Sequence, residues 1–205
     1  MYSGAKGDGF SDGAAHRQTL PPIYNRYQHT APESADVEGV RAFAALERAG
    51  YKIGSAYTAA KGERTRFVYR DELWRGADLL GLGVSSFSHV GGVHFQNEHE
   101  FERYLSRVEA GELPIGRALP LDAEERMIRE FILQMKLGRV ETDYFARKFG
   151  VDLVTRFRAP LEAHRAAGWL TFTPERIEAT RAGLLRIDTL LGSFFRPEHQ
   201  NARYA

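Results

Sequence analysis

Apolar positions along this chain fall into two regimes. Up to about residue 110 they come in short runs broken by glycine, and from residue 121 onward they recur at helical spacing between clear start and stop signals. In the first regime Ser34 is a capping residue for a helix whose inner side carries Val37, Val40, Phe43, Ala44 and Leu46, and Gly50 is its stop. "YKIGSAYTA" reads as a short strand, and "KGERTRFVY" as a polar turn with a second strand. A helix, a glycine and a strand in that order predict one step of a layered α/β arrangement. "HFQNEHEFERYLSRVEAG" predicts a helix ending at Gly111, with Phe101, Tyr104, Leu105 and Val108 at helical spacing, and "ELPIGRALP" a proline-bounded linker.

The second regime is better marked. "LDAEERMIREFILQMKLG" is an amphipathic helix with Asp122 at its cap, Glu125 three residues on, and Met127, Ile128, Phe131, Ile132 and Met135 on the inner face. "ETDYFARKFG" is a short helix closed by Gly150, and "VDLVTRFRAPLEAHRAAG" a third that Pro160 either kinks or splits. "WLTFTPERIEAT" reads as a two-strand hairpin and "TRAGLLRIDTLLGSFF" as a closing helix. Three helices, a hairpin and a helix form the pattern of a winged helix with an added helix.

Between the regimes lies "ADLLGLGVSSFSHVGGVHFQN", residues 77–97, rich in glycine, serine and histidine and almost without charge. Gly76, Gly81 and Gly83 argue against a helix and for an extended segment with close backbone approach. "GLG" is not a dinucleotide fingerprint, since Ser86 stands where a third glycine is needed, and Walker A is absent. Two readings stay open: the missing side chains let a ligand lie against the backbone, or they permit tight packing under a neighbouring helix. His89, His94 and His99 lie five apart, a spacing expected to place successive members on different faces, so no metal site is expected. Ser85, Ser86 and Ser88 adjoin His89 without a G-x-S-x-G elbow, which argues against nucleophilic catalysis.

Composition narrows the classes. Among 205 residues, 28 Lys and Arg against 27 Asp and Glu leave a net charge of +1, which steers the chain toward neither nucleic acid nor membrane. Arg156, Arg158 and Arg165 share their predicted helix with Asp152 and Glu162, a solvated face more than a phosphate-binding one. There is no cysteine, hence no disulfide, no thiolate metal site and no iron–sulfur cluster held by this chain alone. No apolar run reaches the ~20 residues of a membrane span, and the first twenty lack the apolar core of a signal peptide, so a cytoplasmic location is expected. Residues 1–20 read as a flexible segment and 197–205 as a polar tail.

From Tyr69 onward the chain resembles the oxygen-independent coproporphyrinogen III oxidase (coproporphyrinogen dehydrogenase) family of radical S-adenosylmethionine proteins. The likeness rests on "YRDELWRGADLLGLGVSSFSHVGG", Gln96 and Asn97, "FERYL", "GELPI", "RALPLDAEERMIREFILQMKLG", "FARKFG" and "AAGWLTF" leading into "TRAGLLRID", and reaches back to "AALERAGYKIG". It implies an α+β chain: residues 21–112 as the last αβ units of an incomplete radical-SAM barrel, and 113–196 as a mainly helical, winged-helix-like domain with a β-hairpin wing. It implies an oxidoreductase class in porphyrin and haem biosynthesis, with S-adenosylmethionine and an iron–sulfur cluster in the full-length family. The family's C-x-x-x-C-x-x-C motif has no counterpart here, so this chain is expected to be inactive alone and to need the missing N-terminal half, or to self-associate. By the same resemblance Ser85, Ser86, Phe87 and Ser88 belong to the floor of a cavity beside S-adenosylmethionine. Phe87 matches a backbone contact to a second S-adenosylmethionine, and Tyr69 stands where the family carries glutamine for that purpose. Gly83, Trp74, Arg75 and His89 are candidates for the tetrapyrrole cavity. A non-catalytic haem or tetrapyrrole binder, with His89 or His94 as axial ligand, is the alternative, and a winged-helix nucleic-acid module the third reading.

Overall fold

The computed structural model describes residues 32–62, 65 and 67–199. The flexible segment expected over 1–20 lies outside them, as do residues 21–31 and the end of the tail. Residues 32–35 open the first helix, and everything below concerns the chain from Asp36 on.

Helix α1 spans Pro32–Arg48, so Ser34 sits within its first turn and is not the residue before it. The fixed φ of proline suits that first turn. The expected single strand after it is a hairpin, β1 (Tyr51–Ser55) paired antiparallel with β2 (Thr58–Lys61). Helix α2 (Val68–Trp74) stands where a second strand was expected. The Arg70 guanidinium explains it. It donates to Thr58 Oγ1 at 2.5 Å and to Asp71 at 2.6 Å, and lies over the Phe67 and Trp74 rings at 4.9 and 5.1 Å.

Strands β3 (Phe87–Val90), β4 (Val93–Asn97) and β5 (Ile115–Pro120) form a three-stranded sheet in that order, with helix α3 (Phe101–Glu109) between β4 and β5. The expected linker "ELPIGRALP" is therefore largely a strand. Every strand pair among the described residues is antiparallel. The αβ barrel units expected over 21–112 call for parallel pairing, which the described residues do not confirm: β1–β2 and β3–β4 are joined by two-residue turns, which connect only antiparallel strands.

The second regime folds largely as its pattern predicts. Helix α4 (Ala123–Met135) carries a complete capping box: Asp122 Oδ1 accepts from the Glu125 amide at 2.9 Å and Glu125 Oε2 from the Asp122 amide at 2.9 Å. A short strand β6 (Arg139–Glu141) follows, then α5 (Thr142–Phe149), closed by Gly150. The third helix is split at Phe157 into α6 (Leu153–Arg156) and α7 (Arg158–Ala166), with Pro160 in the first turn of α7 where its missing N–H costs nothing. The hairpin β7 (Leu170–Phe172) and β8 (Arg176–Ala179) joins β6 in a three-stranded sheet of order β6-β8-β7. The closing helix is broken into α8 (Arg181–Leu185), α9 (Ile187–Leu191) and a 3₁₀ turn at Gly192–Phe194.

All large buried apolar side chains among the described residues lie between Met127 and Phe194. Phe131 is at their centre, stacked on Phe157 at 5.0 Å and edge-on to Phe145 and Phe194 at 6.0 and 5.1 Å. Upstream of α4 the buried residues are polar: Ser55, Ser88, His89, Asn97 and Glu98. That region is fastened to the downstream core by side-chain bonds: Tyr57 to Asp188, which also pairs with Lys136 at 3.0 Å, and Glu47 to Arg181. The helical spacing of α3 is real, but its face is uncovered, with Phe101 60% and Leu105 40% exposed.

Candidate functional site

The sequence Ser88-His89-Val90-Gly91-Gly92-Val93-His94-Phe95 turns back on itself. Gly91 and Gly92 both have positive φ, 58° and 83°, the combination a tight two-residue hairpin turn requires and only glycine adopts cheaply. The turn pairs His89 with His94 directly across the two strands. The expectation that a five-residue spacing separates the histidines is thus corrected: it holds along one strand or helix and fails across a hairpin. The two imidazoles tilt together at 6.2 Å, and the Phe87 ring stacks on His94 at 5.6 Å. His99 is not part of this pair; it lies beyond β4 next to Glu100. The Gly-Gly doublet between two mirrored apolar–polar runs was the available signal.

The segment 81–86 is held by its neighbours. A Cβ on Gly81 would lie 2.4 Å from the Phe87 carbonyl oxygen, so glycine is needed for this approach. The Gly81 amide donates to the Ser88 hydroxyl at 3.0 Å. Buried Asn97 donates through Nδ2 to the carbonyls of Gly81 and Gly83, at 3.2 and 2.9 Å. Gln96 Nε2 donates to the Ser85 carbonyl at 3.0 Å while its Oε1 accepts from Arg117 at 2.8 Å. The Gly83 amide donates to the Tyr104 hydroxyl at 3.2 Å, and the Ser86 hydroxyl to the Leu82 carbonyl at 2.7 Å. Ser85 alone among described non-glycine residues has positive φ, 61°, a strained state that these bonds over-determine. The packing reading of the glycines therefore has direct structural content.

The other site residues are dispersed. Phe87 is half-exposed at one end of the hairpin, and Tyr69 is 69% exposed on α2. Among the described residues no ring contact or hydrogen bond joins them. Trp74 lies beneath Arg70, and Arg75 presents its side chain to solvent while its carbonyl accepts from the Tyr144 hydroxyl at 3.1 Å.

His89 reaches a different place. It lines a cavity of about 470 Å³ with Gly76, Asp78, Gly91 and Gly92 on one wall and α4 on the other. Helix α4 contributes Ala123, Arg126, Arg129 and Glu130, and Lys148 and Phe149 of α5 close the end. Glu130 is buried and tied down: Lys148 Nζ donates to its two oxygens at 3.0 and 2.8 Å, and the Tyr144 hydroxyl bonds it as well. Burial pulls the Lys148 ammonium down, but Glu130 and Tyr144 more than offset this and leave it raised. Burial first, and then the Glu130 bond, push the Tyr144 phenol up. Burial also lowers the Arg129 guanidinium, opposed by Glu130. Burial, followed by the charge of Arg129, takes His89 down to about 4, and the same two causes lower His94. Both histidines are therefore neutral at pH 7, and the Nδ1 of each is buried with no partner.

Arg126, Arg129, Glu130, Tyr144 and Lys148 were missed as site residues. Arg126 and Arg129 are three apart on α4, a spacing that puts them on one helix face, but sequence alone does not say that β-hairpin turns will roof that face. Arg156, Arg158 and Arg165, weighed for nucleic acid, are paired with Glu124 and Glu162.

A radical-SAM cluster does not fit these residues, since the chain supplies no thiolate. For S-adenosylmethionine the fit is confined to exposed rings at Phe87 and Tyr69, because the Ser86 and Ser88 hydroxyls and the Ser85 carbonyl are engaged within the chain. Among the described residues no group of three or more His, Asp or Glu is placed to hold a metal ion, and no helix is long and apolar enough to cross a membrane.

Residues 121–186 match the family model of the HemN C-terminal domain. The oxygen-independent coproporphyrinogen III oxidase of Helicobacter pylori (strain ATCC 700392 / 26695) is 29% identical over 165 residues, which cover 73% of this chain and 36% of that protein. The protein of the same name from Thermostichus vulcanus is 28% identical over 199 residues, 88% of this chain and 61% of that protein. The solved coproporphyrinogen III oxidase (HemN) of Escherichia coli, described as a radical SAM enzyme, superposes with a TM-score of 0.62 at 21% identity, covering 75% of this chain and 39% of that one. This chain spans 36% of the length of the Helicobacter relative.

Proposed function

Because this chain is a relative of the oxygen-independent coproporphyrinogen III oxidases that carries their C-terminal domain, we propose that it serves as the C-terminal part of such a radical-SAM protein. In this reading residues 21–112 meet the barrel of the missing N-terminal half. Residues 113–196, with β7 and β8 as the wing of a winged-helix-like domain, cover the tetrapyrrole and S-adenosylmethionine cavity and exclude water and oxygen. The chain is inactive alone, and its location is cytoplasmic.

The observation that carries the reading is the uneven core. The upstream region leaves Leu82 82% and Leu113 74% exposed, and Leu80, Phe87, Phe101 and Leu105 uncovered as well. A stretch that buries no large apolar side chain of its own is what remains when the surface it packs against is elsewhere. The segment 81–86, pinned by Asn97, Gln96 and Tyr104, would present Leu82 and Phe87 to that surface in a fixed pose. The alternative in which His89 is a haem ligand fits less well: the ring is 7% exposed and the cavity it lines is smaller than a macrocycle needs.

The purified chain should therefore self-associate through this face. Size-exclusion chromatography with light scattering should give dimers or larger species, shifted toward monomer by Leu82→Glu with Leu105→Glu. A monomer at all concentrations that also binds no apolar dye would contradict the proposal.

A further inference from the structure

We propose that the cavity between the Gly91–Gly92 turn and α4 is a binding site for a carboxylate, with Arg126 and Arg129 as its cationic partners. The balance of charge is the first reason. Of the cavity's charged groups, Lys148 and Glu130 neutralise each other through their own bonds. Asp78 keeps its negative charge while accepting from the Gly91 amide at 3.0 Å, so the two arginines still leave the cavity with one net positive charge. Among the described residues neither Arg126 nor Arg129 has a carboxylate within ion-pair distance. Two guanidiniums thus face one cavity without carboxylate partners of their own, although Arg129 is half-buried. A desolvated guanidinium left unpaired is costly, and a bound anion removes that cost.

The shape of the cavity is the second. Gly92 lies against the Arg126 side chain, where an added Cβ would come within 3.0 Å of Cδ and 3.1 Å of Nη1, so the turn fixes where that guanidinium lies. Buried His89 lines the same cavity, with its Nδ1 unpartnered. The planar fork of arginine matches a carboxylate in two-bond geometry. A volume of about 470 Å³ takes a small dicarboxylate, or one or two carboxylate arms of a larger ligand whose body stays outside. The inference deepens the proposed function where that ligand is a tetrapyrrole with carboxylate side chains, but the site itself does not depend on that reading.

The test is calorimetric titration of the full chain with glutarate and, in parallel, inorganic phosphate, together with fluorescence titration of coproporphyrin III. Glutarate should bind the native chain, and Arg126→Gln and Arg129→Gln should each weaken it by about tenfold, while the exposed control Arg139→Gln leaves it unchanged. Should a variant fold poorly, backbone amide shifts of Gly91, Gly92 and Ala123 on adding glutarate to the native chain give an independent readout. No glutarate binding, equal binding in native chain and variants, or a site that takes phosphate and refuses carboxylates would overturn the inference. Arginine-dependent glutarate binding without coproporphyrin binding leaves the site standing and removes the tetrapyrrole reading. Coproporphyrin binding indifferent to both arginines does the reverse.

Discussion

Phe131→Ala should cost about 3–5 kcal/mol of stability, the large-to-small range for a buried aromatic, and leave the downstream domain largely unfolded at 37 °C. Phe131 is fully buried and touches three other rings, Phe145, Phe157 and Phe194, which come from α5, the α6–α7 junction and the 3₁₀ turn at Gly192–Phe194. Neighbours drawn from three separate elements cannot close over the vacancy by one rotamer change, so the cost should sit in the upper part of the range. Phe131→Leu, which keeps much of the volume, should cost roughly half as much. Urea unfolding followed by circular dichroism measures both. A loss under about 1 kcal/mol for the alanine variant would mean that these helices do not share one core.

Acid should destabilise the chain through histidine, with a defined window. His89 is held near 4 in the folded chain, chiefly by burial, against an ordinary value of 6.5. Its folded value is the lower one, so between pH 6.5 and 4 the unfolded chain binds a proton that the folded chain refuses. Stability therefore falls as pH drops through this window, is unaffected above it, and levels off below pH 4. At pH 4.5 the His89 contribution is about 2–3 kcal/mol. Burial also lowers His94 and His164, the latter bonded to Ser193 at 2.8 Å, so they add in the same direction. His89→Gln should flatten the profile of urea midpoint against pH across that window. An unchanged slope would place the acid sensitivity elsewhere.

The legible parts of the sequence were those whose signals are local. Asp122 with Glu125, the stop at Gly150 and the break that Pro160 signalled, which falls at Phe157, each act within one or two turns, and α4, α5 and the α6–α7 pair follow them. The resemblance to the coproporphyrinogen oxidases was likewise readable, because it lies in short runs of residues in order. What was missed depends on contacts distant in sequence. Arg70 makes a helix where alternation suggested a strand, and β5 forms only because β4 is beside it. Tyr57 meets Asp188 across most of the chain. At the candidate site the serines, placed by resemblance on a cavity floor, are engaged in holding a loop, whereas Arg126 and Arg129, which the sequence reading did not single out, line the cavity. The Gly91–Gly92 doublet was the one local cue passed over, and it alone brings His89 and His94 together.

The central claim is that radical chemistry involving this chain needs thiolates from outside these 205 residues. Anaerobic reconstitution of the purified chain with ferrous iron, sulfide, S-adenosylmethionine and dithionite, followed by mass spectrometry for 5′-deoxyadenosine, tests it directly. The account predicts no iron retained after desalting and no deoxyadenosine above the protein-free blank. Deoxyadenosine formed in proportion to this chain alone would contradict it.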